Sequence, residues 1–254
     1  MTYVQGFVIP VPTANKDKYR QQASDSASLL KQYGATRLVE AWGDDVPKGK
    51  VTDFQGSVQA KDDETVVFSW VEYPDKATYG AANQKMMEDP RTKEMMANMP
   101  FDGKRMIYGG FESIVDEAGR GTSGYTDGYV LPVPNGNKEA YREMAAKAAD
   151  VFKEYGATRI VEAWGDDVPD GKVTDFKRAV KAKTGETVVF SFVEWPDKAT
   201  RDAAWPKIMQ DQRMKPDPNQ MPFDGQRMFW GGFRPILDET QSRDLRHARQ
   251  GGTT

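Results

Sequence analysis

Cysteine is absent from the 254 residues, and the single histidine, His247, lies close to the C-terminal end. The first absence excludes a disulfide framework, a thiolate nucleophile and a Cys-ligated metal. The second leaves imidazole out of nearly the whole chain, and with it Ser–His triads, His-ligated haem and His-rich zinc sites. No cofactor is therefore expected, and acid–base chemistry falls to Asp, Glu, Tyr, Lys or Arg. Long apolar runs are missing too: stretches such as Val66-Val67-Phe68 fall far short of a membrane span. There is no surplus of positive charge, the net value being −3 with a pI near 5.4, which argues against nucleic acid as a partner. Met1-Thr2-Tyr3-Val4 enters a strand pattern at once, without a basic-then-apolar leader. The expectation is a soluble cytoplasmic protein with a small-molecule ligand.

What the chain does have, it has twice. Residues 3–117 align without a gap on 125–239 at a constant offset of 122, and 69 of the 115 pairs are identical. Each copy is long enough to bury a core of its own. The expected organisation is a first repeat over 1–117, a flexible linker over 118–124, a second repeat over 125–239 and a disordered polar tail over 240–254. Identity is uneven. From Tyr33 to Phe54, 20 of 22 positions match their counterparts, whereas from Asn83 to Asn98 only 5 of 16 do.

Each copy predicts strand, helix, strand, strand, helix, strand. Tyr3–Val11 is rich in β-formers. Asn15 can cap a helix bearing Tyr19, Ala23, Ala27 and Leu30 at three- and four-residue spacing, with Gly34 as its stop. Ala35–Gly43 is a second strand, and Val51–Lys61 is expected to extend it as a hairpin arm. Glu64–Tyr73, dense in Val, Phe and Trp, is the plainest strand. Asp75 caps a second helix to about Glu88, a Met-rich loop follows, and Lys104–Ile114 closes the unit. Two helices on one sheet face predict an α+β fold of two tandem ferredoxin-like (βαββαβ) repeats. The bare apolar faces then pair as a pseudo-dimeric α+β barrel, and a further homodimer is open.

Four segments, Gly6-Phe7-Val8-Ile9-Pro10-Val11-Pro12, Glu40-Ala41-Trp42-Gly43-Asp44-Asp45-Val46-Pro47, Glu64-Thr65-Val66-Val67-Phe68-Ser69-Trp70 and Met99-Pro100-Phe101-Asp102-Gly103-Lys104-Arg105-Met106, resemble the YbaA-like proteins, domain-of-unknown-function family 1428. The resemblance spans both repeats and implies membership of the dimeric α+β-barrel superfamily, with fusion standing in for a homodimer. It implies no established activity. The wider superfamily includes cofactor-free monooxygenases, isomerases, haem enzymes and ligand binders.

Period-two alternation puts Leu38, Glu40 and Trp42 on one face of the second strand and Val39 and Ala41 on the other. Small Val39 and Ala41 are expected under the helices, turning Glu40 and Trp42 toward the space between the sheets. A carboxylate beside an indole there would be a general base or acid, with Glu162 and Trp164 as the second site. The bland alternative pairs Glu40 with Arg105 and leaves Trp42 as core. Arg105 and Arg227 could clamp an anionic ligand or pair locally, and Tyr108 and Trp230 precede a Gly-Gly pair that permits close approach. Asp44, Asp45 and Asp53 raise the question of a metal, but the spacing matches no EF-hand loop, so turn chemistry is favoured. The Met86–Met99 cluster could be an adaptable ligand wall or ordinary packing. In the second copy Trp205 and Pro206 replace part of it, and Pro206 is expected to kink or shorten that helix. Two functions remain: a small-molecule-binding barrel, in its enzymatic form using a Glu base on a hydrophobic substrate, and a structural or stress-related module.

Overall fold

A computed structural model describes residues 2–215 and 221–240. The first repeat runs β1 (Tyr3–Pro12), α1 (Lys16–Gln32), β2 (Arg37–Asp45), α2 (Phe54–Ser57), β3 (Glu64–Tyr73), α3 (Lys76–Glu88), α4 (Pro90–Ala97) and β4 (Ile107–Ala118). The second runs β5 (Tyr125–Pro134), α5 (Lys138–Glu154), β6 (Arg159–Asp167), α6 (Phe176–Ala179), β7 (Glu186–Trp195), α7 (Lys198–Gln210) and β8 (Phe229–Thr240). The eight strands close into one barrel in the order β1-β3-β2-β8-β5-β7-β6-β4. The two seams between repeats are antiparallel ladders, β2 with β8 and β4 with β6. Each repeat so covers the open edges of the other, which leaves no open sheet edge among the described strands.

The local signals explain most element ends. Asp75 accepts a hydrogen bond from the Thr78 amide at 2.7 Å and starts α3. Gly34, at φ +108°, ends α1 in the left-handed conformation, and the Ala35 amide reaches back to the Leu30 carbonyl. Asn15 sits at the cap position of α1, but its side chain donates instead to the Pro100 carbonyl at 2.8 Å. Three expectations are corrected. Val51–Lys61 forms no hairpin arm, because Asp53 caps the short α2 by accepting from the Gly56 amide. The Met-rich loop contains α4, which starts with Pro90 in its first turn and Asp89 as cap. Of the two effects expected of Pro206, shortening does not occur: the proline lies inside α7, which at 13 residues is as long as α3. The Pro-rich run from Pro216 and the tail beyond Thr240 lie outside the described residues.

The barrel interior is solid. Phe68 and Phe190 stack across the repeats at 4.5 Å, and Trp70 on Phe192 at 4.3 Å. Phe54, Phe111, Phe176 and Phe233 fill the rest, all fully buried. Each such ring stabilises the fold by roughly 1.5–3 kcal/mol through burial alone. Gly6 permits this stack, because a Cβ there would stand 2.8 Å from the Phe190 ring.

The packing reverses the expected facing of β2. Val39 and Ala41 point into the barrel with the aromatic core, while Leu38, Glu40 and Trp42 lie under the helices. The physical reason is volume. A closed eight-stranded barrel has a narrow interior, and the large rings of β3 and β7 fit there only if β2 and β6 contribute small side chains. At one end, Arg37 grips Glu194 and Asp238 of the other repeat, and Arg159 grips Glu72 and Asp116.

Candidate functional site

In the first repeat, α1, α3 and α4 stand off the outer face of the sheet and leave a cavity of about 500 Å³. Its floor is β1, β2 and β3, represented by Phe7, Leu38 and Val71. Its walls include Met86, Met95, Met96 and Met99, with Phe101 and Met106 at one side. The methionine cluster is thus a cavity wall, adaptable in shape because unbranched thioethers have many rotamers. Gln22 ties α1 to α4 by donating to the Met95 carbonyl at 2.7 Å. Tyr108 lines the cavity and is 45% exposed, so it stands at the mouth.

Among the described residues one ionisable carboxyl lines this space: Glu40, itself buried. Tyr19, one turn into α1, donates its hydroxyl to Glu40 Oε2, and Ser69 of β3 hydrogen-bonds the same carboxyl. Burial pushes the Glu40 pKa up to about 7, and the two hydroxyls offset part of that rise. Tyr19 is held well above its ordinary value, first by burial and then by the neighbouring carboxylate. Glu162 repeats the arrangement with Tyr141 at 2.5 Å and Ser191, and burial raises it likewise to about 7. Glu40 therefore has neither of the surroundings expected of it: it does not face the barrel interior, and its partners are hydroxyls, not Arg105.

The other expected residues divide. Trp42 packs with Tyr19, Ile9, Val67 and Phe101, behind the Glu40 pair, and Lys16 lies over its ring at 5.1 Å. Trp164 has the corresponding place beneath Lys138. The anion clamp is corrected for both arginines. Arg105 is spent on Glu64 (2.6 and 2.7 Å), Asp102 and the Gln59 carbonyl, and Arg227 on Glu186, Asp224 and the Lys181 carbonyl. These carboxylates lie just before and at the start of the neighbouring strands, so the guanidinium fork closes a local ion pair. Trp230, the counterpart of Tyr108, is 39% exposed.

The acidic turns serve the contact between repeats. Asp44 accepts from Tyr125 and Arg234, and Asp166 from Tyr3, with Lys76 paired to it. Asp167 accepts from Tyr79, and Asp45 from Arg201. Among the described residues no group of three or more acidic or histidine side chains could hold a metal. The near-identity of 33–54 with its counterpart thus maps to the seams, while the divergence of 83–98 maps to the cavity wall. Tyr19 was the residue that strand-by-strand reading missed. Its signal was present: a tyrosine in both copies on a helix face otherwise built of alanines.

The sequence matches the family described as Protein of unknown function (DUF1428) over residues 2–103 and again over 124–225. The chain belongs to this family. YbaA of Escherichia coli K12, an uncharacterized protein, is 62% identical over 117 residues, which is all of that protein and 46% of this chain. YbaA of Shigella flexneri matches equally. This DUF1428 chain is thus two YbaA-sized units in tandem. Among solved structures it is similar to a candidate monooxygenase of Fusobacterium nucleatum, with TM-score 0.58, 12% identity and 95% of each chain covered. A candidate monooxygenase of Lactobacillus acidophilus gives TM-score 0.57 at 8% identity, covering 95% of this chain and 97% of that one. An anthrone oxidase-like protein gives 0.57 at 11%, covering 94% and 93%. At such identities the likeness is one of fold. Among the described residues no helix is long and apolar enough to cross a membrane.

Proposed function

We propose that the cavity of the first repeat binds an uncharged, largely apolar small molecule, and that Glu40 exchanges a proton with it. The observation that carries this reading is a buried carboxyl, raised to about 7, in a roomy apolar cavity lined, among the described residues, by no other carboxyl and by no lysine, arginine or histidine. An anionic ligand would find no counter-charge there and would face Glu40, at a high desolvation cost. A neutral ketone or phenol has an apolar body for the methionine wall and an acidic C–H or O–H for the carboxylate. A base with pKa near the working pH is the efficient choice for that transfer. Trp42 backs Tyr19 and so helps to orient Glu40, and Tyr108 is the gatepost of the mouth.

The fold likeness to candidate monooxygenases suits such chemistry without specifying a reaction. The alternative, a structural module, draws support from the filled barrel, and the two proposals meet in one molecule. The second repeat supplies the β8 and β6 ladders that a homodimer partner would otherwise supply. On this reading the functional units are 1–117 and 125–239, and lack of cysteine suits the cytoplasm.

The test uses 2-tetralone, a neutral two-ring ketone with acidic C–H groups. Catalysed exchange of its α-hydrogens for deuterium, followed by proton NMR, is expected with the wild-type chain. Glu40→Gln should lower the rate by roughly 100-fold or more. An unchanged rate in Glu40→Gln sinks the assignment.

A further inference from the structure

The two repeats keep the same acid–base pair but treat the space beside it differently. Each residue around the open cavity has a counterpart 122 positions on. Asn83 becomes Trp205, Leu30 becomes Phe152, and Gln22, Ser26 and Thr92 become Met144, Ala148 and Met214. The replacements add bulk or remove polarity. Trp205, Met144 and Met214 all pack against the core of the second repeat, and Trp205 meets the edge of Phe152 at 5.7 Å.

Four differences form a bonded set. Gln5 becomes Asp127, Tyr73 becomes Trp195, Tyr79 becomes Arg201 and Asn83 becomes Trp205. Asp127, fully buried, accepts from Arg201 at 2.9 Å, from the Trp205 indole at 3.1 Å and from the Trp195 indole at 2.9 Å. Arg201 in turn donates to Asp45 of the first repeat at 3.0 Å. No member makes sense alone: the aspartate needs the cation, and the indole needs the aspartate. Sealed in with them is the Tyr129 hydroxyl, which is buried and has no hydrogen-bond partner among the described residues. Its counterpart Phe7 lines the open cavity.

We infer that the chain binds one ligand, not two. Trp205 is the residue that fills the second repeat's counterpart of the cavity, held by Asp127 and Arg201 beside the pair of half-buried Glu162 and Tyr141. The occupant of the open site is the uncharged apolar molecule proposed above, and this inference rests on that reading. It assigns the selectivity between repeats to position 83 and its counterpart 205. The second repeat then acts as scaffold for the first: its Asp167 holds Tyr79 of α3, the helix that carries Asn83 and Met86 into the cavity wall.

Xenon reports apolar space independently of catalysis. In crystals of the full-length chain under xenon pressure, the wild type should take xenon beside Glu40 and none beside Glu162. Asn83→Trp should lose the first site, and Trp205→Asn should gain one beside Glu162. Xenon beside Glu162 in the wild type overturns the inference and leaves the proposed function standing. So does a folded Trp205→Asn chain that gains no second site. Should Trp205→Asn fail to fold, Asn83→Trp still decides: undiminished xenon beside Glu40 contradicts the role of this position. Xenon in neither repeat of the wild type removes the cavity reading itself, and this inference with it.

Discussion

Under α1 the first repeat has Gln22, Ser26 and Asn83 around open space, and under α5 the second has Met144, Ala148 and Trp205 in contact with its core. The carboxyl beneath is bonded in both to a tyrosine and a serine and raised to about 7, buried in the first repeat and half-buried in the second. The comparison separates two properties that a site needs. Tuning of an acid–base group is set by the sheet and by one helix residue, and survives in both repeats. Access is set by α1, α3 and α4 in the first repeat and by α5 and α7 in the second, and survives in one. A duplicated chain can lose the second property without disturbing the first, because the long helices pack on the outer face, while the aromatic barrel core is built by the strands with Phe54 of α2 and Phe176 of α6.

The largest expected difference between the repeats is in stability. Asp127→Ala leaves the Arg201 cation half-paired and two indole N–H groups without an acceptor, and should cost about 3–5 kcal/mol in urea unfolding. Gln5→Ala, at the matching position, loses a long bond to Tyr73 (3.4 Å) and should cost about 1 kcal/mol. Equal costs would break the contrast. In 2-tetralone exchange, Glu40→Gln should lose roughly 100-fold or more while Glu162→Gln keeps the wild-type rate. An Asn83→Trp chain should resemble Glu40→Gln.

The pH dependence should be alike in the two halves. Both glutamates are raised from the ordinary 4.5 to about 7, so the folded chain keeps protons that the unfolded chain has released. Stability therefore falls as pH rises from about 4.5 to about 7 and levels off above, by on the order of 2–3 kcal/mol per group. Glu40→Gln and Glu162→Gln should each flatten the curve of denaturation midpoint against pH by a similar amount. Catalytic exchange should rise around pH 7, as Glu40 of the folded chain ionises, and level off above. The smallest expected contrast is at the arginines. Arg105→Ala and Arg227→Ala each leave a buried glutamate, Glu64 or Glu186, without its main partner. Both should destabilise to within about 0.5 kcal/mol of each other, with no change in ligand affinity. A specific loss of affinity in Arg105→Ala would restore the clamp.

Much of this was legible in the chain. The constant offset of 122 announces the pseudo-dimer, and the Val-Phe-Trp density of 64–73 announces a central strand. Glu40 stood out as the carboxyl to watch, and the low identity of 83–98 pointed to where the copies part. The face of β2 was not legible. Alternation tells which residues share a side, but only the rings of Phe68, Trp70, Phe190 and Phe192 decide that the small side belongs inside the barrel. The local pairing of the arginines was open to the sequence, with Asp102 and Asp224 three residues away, but their other partners, Glu64 and Glu186, lie 41 residues away, a pairing fixed by the fold and not by spacing. The closure of the second repeat depends on Asp127, Arg201 and Trp205 meeting across 78 positions, and no local pattern encodes that meeting.

The central claim is that two equally tuned carboxyls differ in access. Carbon-13 NMR of glutamate side chains reads both directly, with Glu40→Gln and Glu162→Gln supplying the assignments. Two carboxyl signals should titrate near pH 7, and added 2-tetralone should shift the Glu40 signal alone. Movement of both signals, or of the Glu162 signal only, would contradict the account.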